Sequence, residues 1–136
     1  MRIRSKAREI ALCVLYETEI SRQNYKDILE NYFKKYPHKE EAKRFSFQLV
    51  EGVTKNLTRL DDIIKKYVKN WEIGRMAVID RNILRMACFE LIDLDDIPPK
   101  VSINEAVELA KKFGDLDSPR FVNGILDKVY KLESKK

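Results

Sequence analysis

Two cysteines, one histidine, four glycines and four prolines are all that 136 residues hold of the types that build disulfide frameworks, metal cages and tight turns. Cys13 and Cys88 each stand inside an apolar helical pattern, where a free thiol is expected to serve as a small core hydrophobe. His38, beside Pro37, is the sole histidine, so no His/Cys cluster is available to a structural or catalytic metal, and none is expected. Scarce glycine and proline leave little material for the turns of an all-β fold. The chain has no Gly-rich phosphate loop, GxSxG elbow, HExxH or CxxC, and so neither enzyme activity nor a cofactor is expected. No stretch approaches the roughly 18 apolar residues of a membrane span, and no apolar segment follows the basic N-terminus as in a secretory signal. The expectation is a cytoplasmic protein with no membrane partner.

What is present suits one helical domain. Apolar residues make up 44% and charged residues 36%, too apolar for intrinsic disorder. A chain of this length buries roughly two thirds of the surface its unfolded form exposes, so it folds without staples. The net charge is +5, and four of the positive charges, Arg2, Arg4, Lys6 and Arg8, fall in the first eight residues with no acid among them. The rest of the chain is nearly neutral. A localised excess of this kind points to a polyanionic partner.

Apolar spacing predicts seven helices. Ala7, Ile10, Ala11, Val14 and Leu15 repeat at i, i+3, i+4, i+7, i+8 and predict a helix from about Ser5 to Ile20. A second stripe, Ile28 to Tyr36, stops at Pro37, and a third runs from about Lys39 through Ala42, Phe45, Leu49 and Val53. Thr58 is expected to cap a fourth helix, with Asp61 three residues on and an apolar face, Leu60, Ile63, Ile64, Tyr67 and Val68, leading toward Trp71; Gly74 separates it from the next. The fifth, about Arg75 to Leu94, is apolar on most sides and belongs in the middle of a bundle. Ser102 and Glu105 read as a capping box for the sixth, with Val101 and Ala106 as a hydrophobic staple and Gly114 as its left-handed terminator. Ser118 and Pro119 read as N-cap and first residue of the seventh, in which Gly124 suggests a close helix crossing. The segments before and after about Asn56 are expected to form two subdomains, 1–56 and 57–136, of a single domain.

Two regions carry chemical signals. Cations at a helix N-terminus oppose the macrodipole, so stability alone does not place Arg2, Arg4, Lys6 and Arg8 there. Residues two apart cannot share one helical face, whereas an extended segment would align all four. A mobile arm that orders on its ligand is the expectation, contacting nucleic acid or serving as a solubilising or membrane-surface tail; three arginines to one lysine favour nucleic acid. Lys111-Lys112-Phe113-Gly114, with Asp115, Asp117 and Arg120 after it, could stack an unpaired base on Phe113 beside phosphate-facing lysines; Phe113 also ends an apolar stripe and suits core packing. Glu90, among apolar neighbours, reads as a structural ion pair or helix-edge residue more readily than as an acid catalyst.

Over Ile97-Pro98-Pro99-Lys100-Val101-Ser102-Ile103-Asn104-Glu105-Ala106-Val107-Glu108-Leu109-Ala110-Lys111-Lys112-Phe113-Gly114 and Phe121-Val122-Asn123-Gly124-Ile125-Leu126-Asp127, the sequence resembles the NusB family of bacterial transcription antitermination factors. The likeness continues through Val78 to Arg85, Glu90-Leu91 and the N-terminal Arg8, Ala11-Leu12 and Leu15-Tyr16, covering essentially the whole chain. It implies an all-α fold of two packed three-helix subdomains. It also implies binding, with NusE (a small-subunit ribosomal protein), to the single-stranded boxA element of nascent RNA. That complex would join other Nus factors on RNA polymerase and suppress termination, notably in ribosomal RNA operons. By this resemblance the RNA-binding residues are Arg2, Arg4, Lys6, Arg8, Lys112, Phe113, Asp117 and Phe121, and Tyr16 and Asp80 face NusE. The spacing leaves room for a homodimer. Two rivals are a NusB-like domain detached from a ribosomal RNA cytosine methyltransferase and a scaffold that binds only protein.

Overall fold

The computed structural model describes residues 2–68 and 75–136. Among them the chain forms seven helices and no strand, divided between one unit that ends at Lys55 and another spanning Asn56–Lys136. Trp71 and Gly74, expected to close one helix and precede the next, lie outside the described residues.

The first unit contains α1 (Ile3–Ser21), α2 (Tyr25–Lys35) and α3 (Glu40–Lys55). Ala7, Ile10, Ala11, Val14 and Leu15 are all buried, and α1 packs on α3, whose Ala42, Phe45, Leu49, Val50 and Val53 are buried in turn. Burying each of the larger side chains stabilises the unit by about 1.5–3 kcal/mol. Cys13 is exposed, contrary to expectation, because Ile10, Ala11, Val14 and Leu15 occupy the core-facing arc and turn position 13 outward. At the end of α1, Arg22 adopts the left-handed conformation (φ 59°) and donates its N–H to Thr18 O at 2.9 Å. This closes the helix without glycine. Asn24 caps α2 by accepting from Lys26 N at 2.8 Å, and Tyr36, extended ahead of Pro37, ends it.

The second unit contains α4 (Leu57–Lys65), α5 (Val78–Asp93), α6 (Pro99–Phe113) and α7 (Ser118–Glu133). Helices α5, α6 and α7 pack on one another, and α4 lies against α5 and α7. Every residue of α5 from Asn82 to Leu91 is buried, as its all-round apolar pattern predicts for a central helix. Its polar members are satisfied within the unit. The Arg85 guanidinium donates to both oxygens of Asp61, Nε to Oδ1 at 2.7 Å and Nη2 to Oδ2 at 3.0 Å, and Glu90 Oε1 accepts from Ser102 Oγ at 2.8 Å. Lys136 Nζ donates to the carbonyls of Glu90 and Ile97 at 2.8 and 2.7 Å.

Those pairings explain where the cap assignments fail. Helix α4 starts at Leu57 with Asn56 at the cap position, so Thr58 lies within it, and Asp61 serves Arg85. Helix α6 starts at Pro99, whose missing N–H suits the first turn; Ser102 is therefore inside it, its hydroxyl committed to Glu90, and Val101 is exposed, leaving no capping box or staple. Gly114 ends α6 extended (φ −96°, ψ −171°), not left-handed. Its need for glycine is steric, since a Cβ there would meet Ser118 Cβ and Oγ at 2.6 Å and Ala110 O at 2.9 Å. Ser118 is the first residue of α7 and Asp117 holds the cap position, without a side-chain cap bond. Gly124 is exposed and a Cβ there would meet nothing within 4 Å, so among the described residues no helix crosses it.

Candidate nucleic-acid interface

Arg4, Lys6 and Arg8 are part of α1 and Arg2 caps it, so the basic N-terminal residues do not form an extended arm. Arg2 occupies the cap position with extended backbone (φ −66°, ψ 150°), and its carbonyl accepts from Lys6 N at 3.0 Å. With Arg2 included, the four cations divide into two pairs at i, i+4, Arg2 with Lys6 and Arg4 with Arg8. Arg4 and Arg8 place their guanidinium groups over the Phe45 ring, 4.5 and 5.1 Å from its centroid, and Arg8 is 3% exposed. Arg2 is exposed, and Lys6 is half-buried with its ammonium 4.0 Å from Glu9. The reason for helix is therefore a cation–π platform together with the apolar stripe: attraction to a ring, worth up to about 2 kcal/mol where desolvated, offsets the macrodipole penalty. Spacing hinted at this, because Arg4 and Arg8 are one helical turn apart; Phe45 as their platform needed the packing of α1 on α3. Tyr16, also on α1, is 42% exposed.

In the second unit, Met76, Ala77, Asp80, Asp115, Asp117, Ser118 and Phe121 line a cleft of about 300 Å³. The first turn of α5 supplies Asp80, and the α6–α7 loop with the start of α7 supplies the acids and Phe121. The short loop is held by Ser118, whose Oγ accepts from Asp115 N at 2.9 Å and hydrogen-bonds the Asp80 carboxylate. Asp80 Oδ1 is buried without a hydrogen-bond partner. Burial raises the Asp80 pKa above the usual carboxylate range, Asp115 adds to the rise, and the Ser118 hydrogen bond opposes it. Asp115 and Asp117 are exposed, Phe121 is half-buried, and Leu116 between the acids is 93% exposed.

Asp80, Asp117 and Phe121 thus share one cleft, although the sequence assigns the first to a protein partner and the other two to RNA. Three carboxylates repel phosphate, so the cleft can take only donors: an exocyclic amine of a base, or a cationic or amide group of a protein, with Phe121 and Met76 as apolar wall. Lys112 and Phe113 come together at the end of α6, the ammonium 5.6 Å from the ring centroid, and neither lines the cleft. Phe113 is half-buried, part core and part surface. Ser118 and Asp115 were missed as cleft residues; the signal available was a serine next to proline at a helix start, which reads as a cap whether or not it also holds a carboxylate. Among the described residues no group of three or more His, Cys, Asp or Glu could hold a metal ion, and no helix is long and apolar enough to cross a membrane.

The NusB family profile matches residues 5–131. The chain belongs to the NusB family. It is 45% identical over 128 residues to the transcription antitermination protein NusB of Dehalococcoides mccartyi strain CBDB1, covering 94% of this chain and 90% of that one. Among solved structures, NusB of T. maritima superposes with a TM-score of 0.91 at 36% identity, covering 96% of this chain and 92% of that one. A chain in a crystal structure of antitermination factors NusB and NusE in complex with dsRNA superposes with a TM-score of 0.87 at 31% identity, covering 96% and 98%. The NusB fold is thus present over nearly the full length, and the Dehalococcoides mccartyi relative is a transcription antitermination protein.

Proposed function

We infer that this chain binds the single-stranded boxA element of nascent RNA together with NusE, and that the complex, joined to other Nus factors on RNA polymerase in the cytoplasm, suppresses termination, notably in ribosomal RNA operons. The observation that carries the reading is the near full-length match to a chain solved with NusE and dsRNA. The proposal assigns binding and no catalysis. Arg2, Arg4, Lys6, Arg8 and Lys112 supply phosphate attraction, which is steeply salt-dependent, while Phe113 and Phe121 stack bases and Asp117 accepts from their exocyclic amines. Tyr16 and Asp80 face NusE. The partnerless Asp80 oxygen supports that assignment, since a buried acceptor left open in the free protein gains a donor on binding.

Fluorescence anisotropy with the protein and NusE tests this on two labelled RNAs, a boxA-like oligomer and its scramble, at two salt concentrations. The boxA-like RNA is expected to bind more tightly, with affinity falling steeply as salt rises; equal binding of the two RNAs, or none, overturns the assignment. Phe113→Ala, if circular dichroism shows it folded, should narrow the difference between the RNAs, each lost base stack being worth about 1–3 kcal/mol.

A further inference from the structure

The corner where α2 meets α3 carries features that neither the NusE nor the boxA assignment uses. Between Glu30 and Glu40 the chain reads Asn31-Tyr32-Phe33-Lys34-Lys35-Tyr36-Pro37-His38-Lys39, three lysines and three aromatic residues with no acid. Tyr36 N–H makes the last helical hydrogen bond of α2, to Tyr32 O at 2.8 Å; Tyr36 is extended ahead of Pro37, and the chain beyond returns His38 to the ring of Tyr32. The rings then form a continuous series. Tyr36 lies 5.0 Å from Tyr32, and Tyr32 stacks on His38 at 5.8 Å with an interplanar angle of 15°. Phe33 meets both edge-on at 5.3 and 5.8 Å.

Local packing accounts for the inner members, since Tyr32, Phe33 and His38 partly bury one another. It does not account for Tyr36, which stays 51% exposed at the end of the series, or for the exposed lysines around it. Lys34 pairs loosely with Glu30 at 3.4 Å and Lys43 with Glu40 at 3.5 Å, while Lys35 and Lys39 make no ion pair among the described residues. This surface is separate from the arginine platform. Lys43 lies over Phe33 and Phe45 lies under Arg4 and Arg8, and residues two apart on α3 point about 200° from each other.

An open aromatic face among cations of one sign is the combination that holds unpaired nucleotides: a base stacks on the ring and the flanking phosphates meet the ammonium groups. Lysine is depleted in protein–protein interfaces, whereas three lysines stand around the exposed ring here, which favours a polyanion over a protein partner. We propose that Tyr36, with Lys35 and Lys39, is a second contact for single-stranded RNA, taking nucleotides that flank the segment bound at the boxA site. It rests on the RNA-binding reading given above, and it adds length to the RNA footprint without adding sequence preference.

The test compares a short boxA-like RNA with the same RNA extended by ten uridines at each end, using the full chain with NusE. Wild type should gain about tenfold in affinity from the extension, as one to two stacked bases provide. Tyr36→Ala and the double change Lys35→Gln with Lys39→Gln should bind the short RNA as wild type does and lose most of that gain. The lysine change should also lower the salt slope on the extended RNA by about 1.4. Tyr36→Phe, which keeps the ring, should behave as wild type and assigns the gain to the ring and not the hydroxyl, while unchanged binding of the short RNA by Tyr36→Ala shows that the variant is folded. No gain in wild type, an equal gain in the variants, or variants that lose NusE and not RNA would overturn the proposal. Failure of wild type to bind the short RNA sinks the boxA reading instead. The corner is then decided by titrating oligouridylate alone: tighter binding to wild type than to Tyr36→Ala supports it, and equal binding or none overturns it.

Discussion

At the start of α1 the fold holds the charged side chains; in the α6–α7 loop it leaves them to solvent. Arg4 and Arg8 lie against Phe45, and Arg8 is buried. Asp115, Leu116 and Asp117 are exposed on a loop fixed from beneath by the Ser118 hydroxyl and by a glycine that admits no Cβ. The first arrangement joins a cationic surface to the stability of its unit. The second separates them, because the side chains that meet a ligand are different from those that set the loop. Mutations in the two regions should consequently differ in whether binding and stability fall together.

The strongest way to break that contrast is Arg8→Ala. Losing a buried stem and a desolvated cation–π contact should cost about 2–3 kcal/mol in urea unfolding and weaken RNA binding in parallel; a binding defect without a stability loss would show that Arg8 is not held as described. Gly114→Ala comes next, at about 1–3 kcal/mol, since the new Cβ must displace Ser118 or the end of α6. It should disturb the Asp115–Asp117 loop although it removes no contacting side chain, visible as shifted loop amides by NMR.

Asp80→Asn should have a smaller effect and opposite signs in two assays. The folded-state pKa of Asp80 is raised, so its ionisation opposes folding: its favourable contribution is present below the unfolded carboxylate pKa and is lost as pH rises through the folded value. The neutral amide should therefore stabilise the protein at pH 7, with the gain disappearing toward pH 3, while affinity for NusE falls. An unchanged stability at pH 7 would mean that the carboxylate is already satisfied. Smallest of all is Arg2→Ala, at an exposed cap position without a side-chain cap bond. Stability should change by less than about 0.5 kcal/mol, and the salt slope for single-stranded RNA should flatten by about 0.7.

The helices were legible because their period depends on residue type alone. Ala7, Ile10, Ala11, Val14 and Leu15, then Ile28 and Leu29, then Ala42, Phe45, Leu49 and Val53, and α5 from Asn82 to Leu91 are buried as their spacing predicts. The caps were not, because each candidate polar group has a partner far along the chain: Asp61 has Arg85, and Ser102 has Glu90. Sequence spacing lists which groups can cap; it does not say which of them another helix has already claimed. The same limit applies to the site. Exposed Asp117 and its neighbour Phe121 could be picked out from a family pattern, but their convergence with Asp80 depends on how α5 and α7 pack. The N-terminal charges misled for a related reason, since their alternation argues against one helical face and is silent about two.

Phe45 changes how a genetic defect in this protein should be read. It is an uncharged, buried ring on α3, 3% exposed, and would be set aside in any search for RNA contacts. Yet the orientation of two arginines is answerable to it. A lesion there would present as a loss of nucleic-acid affinity with every cation of the N-terminal segment still in place.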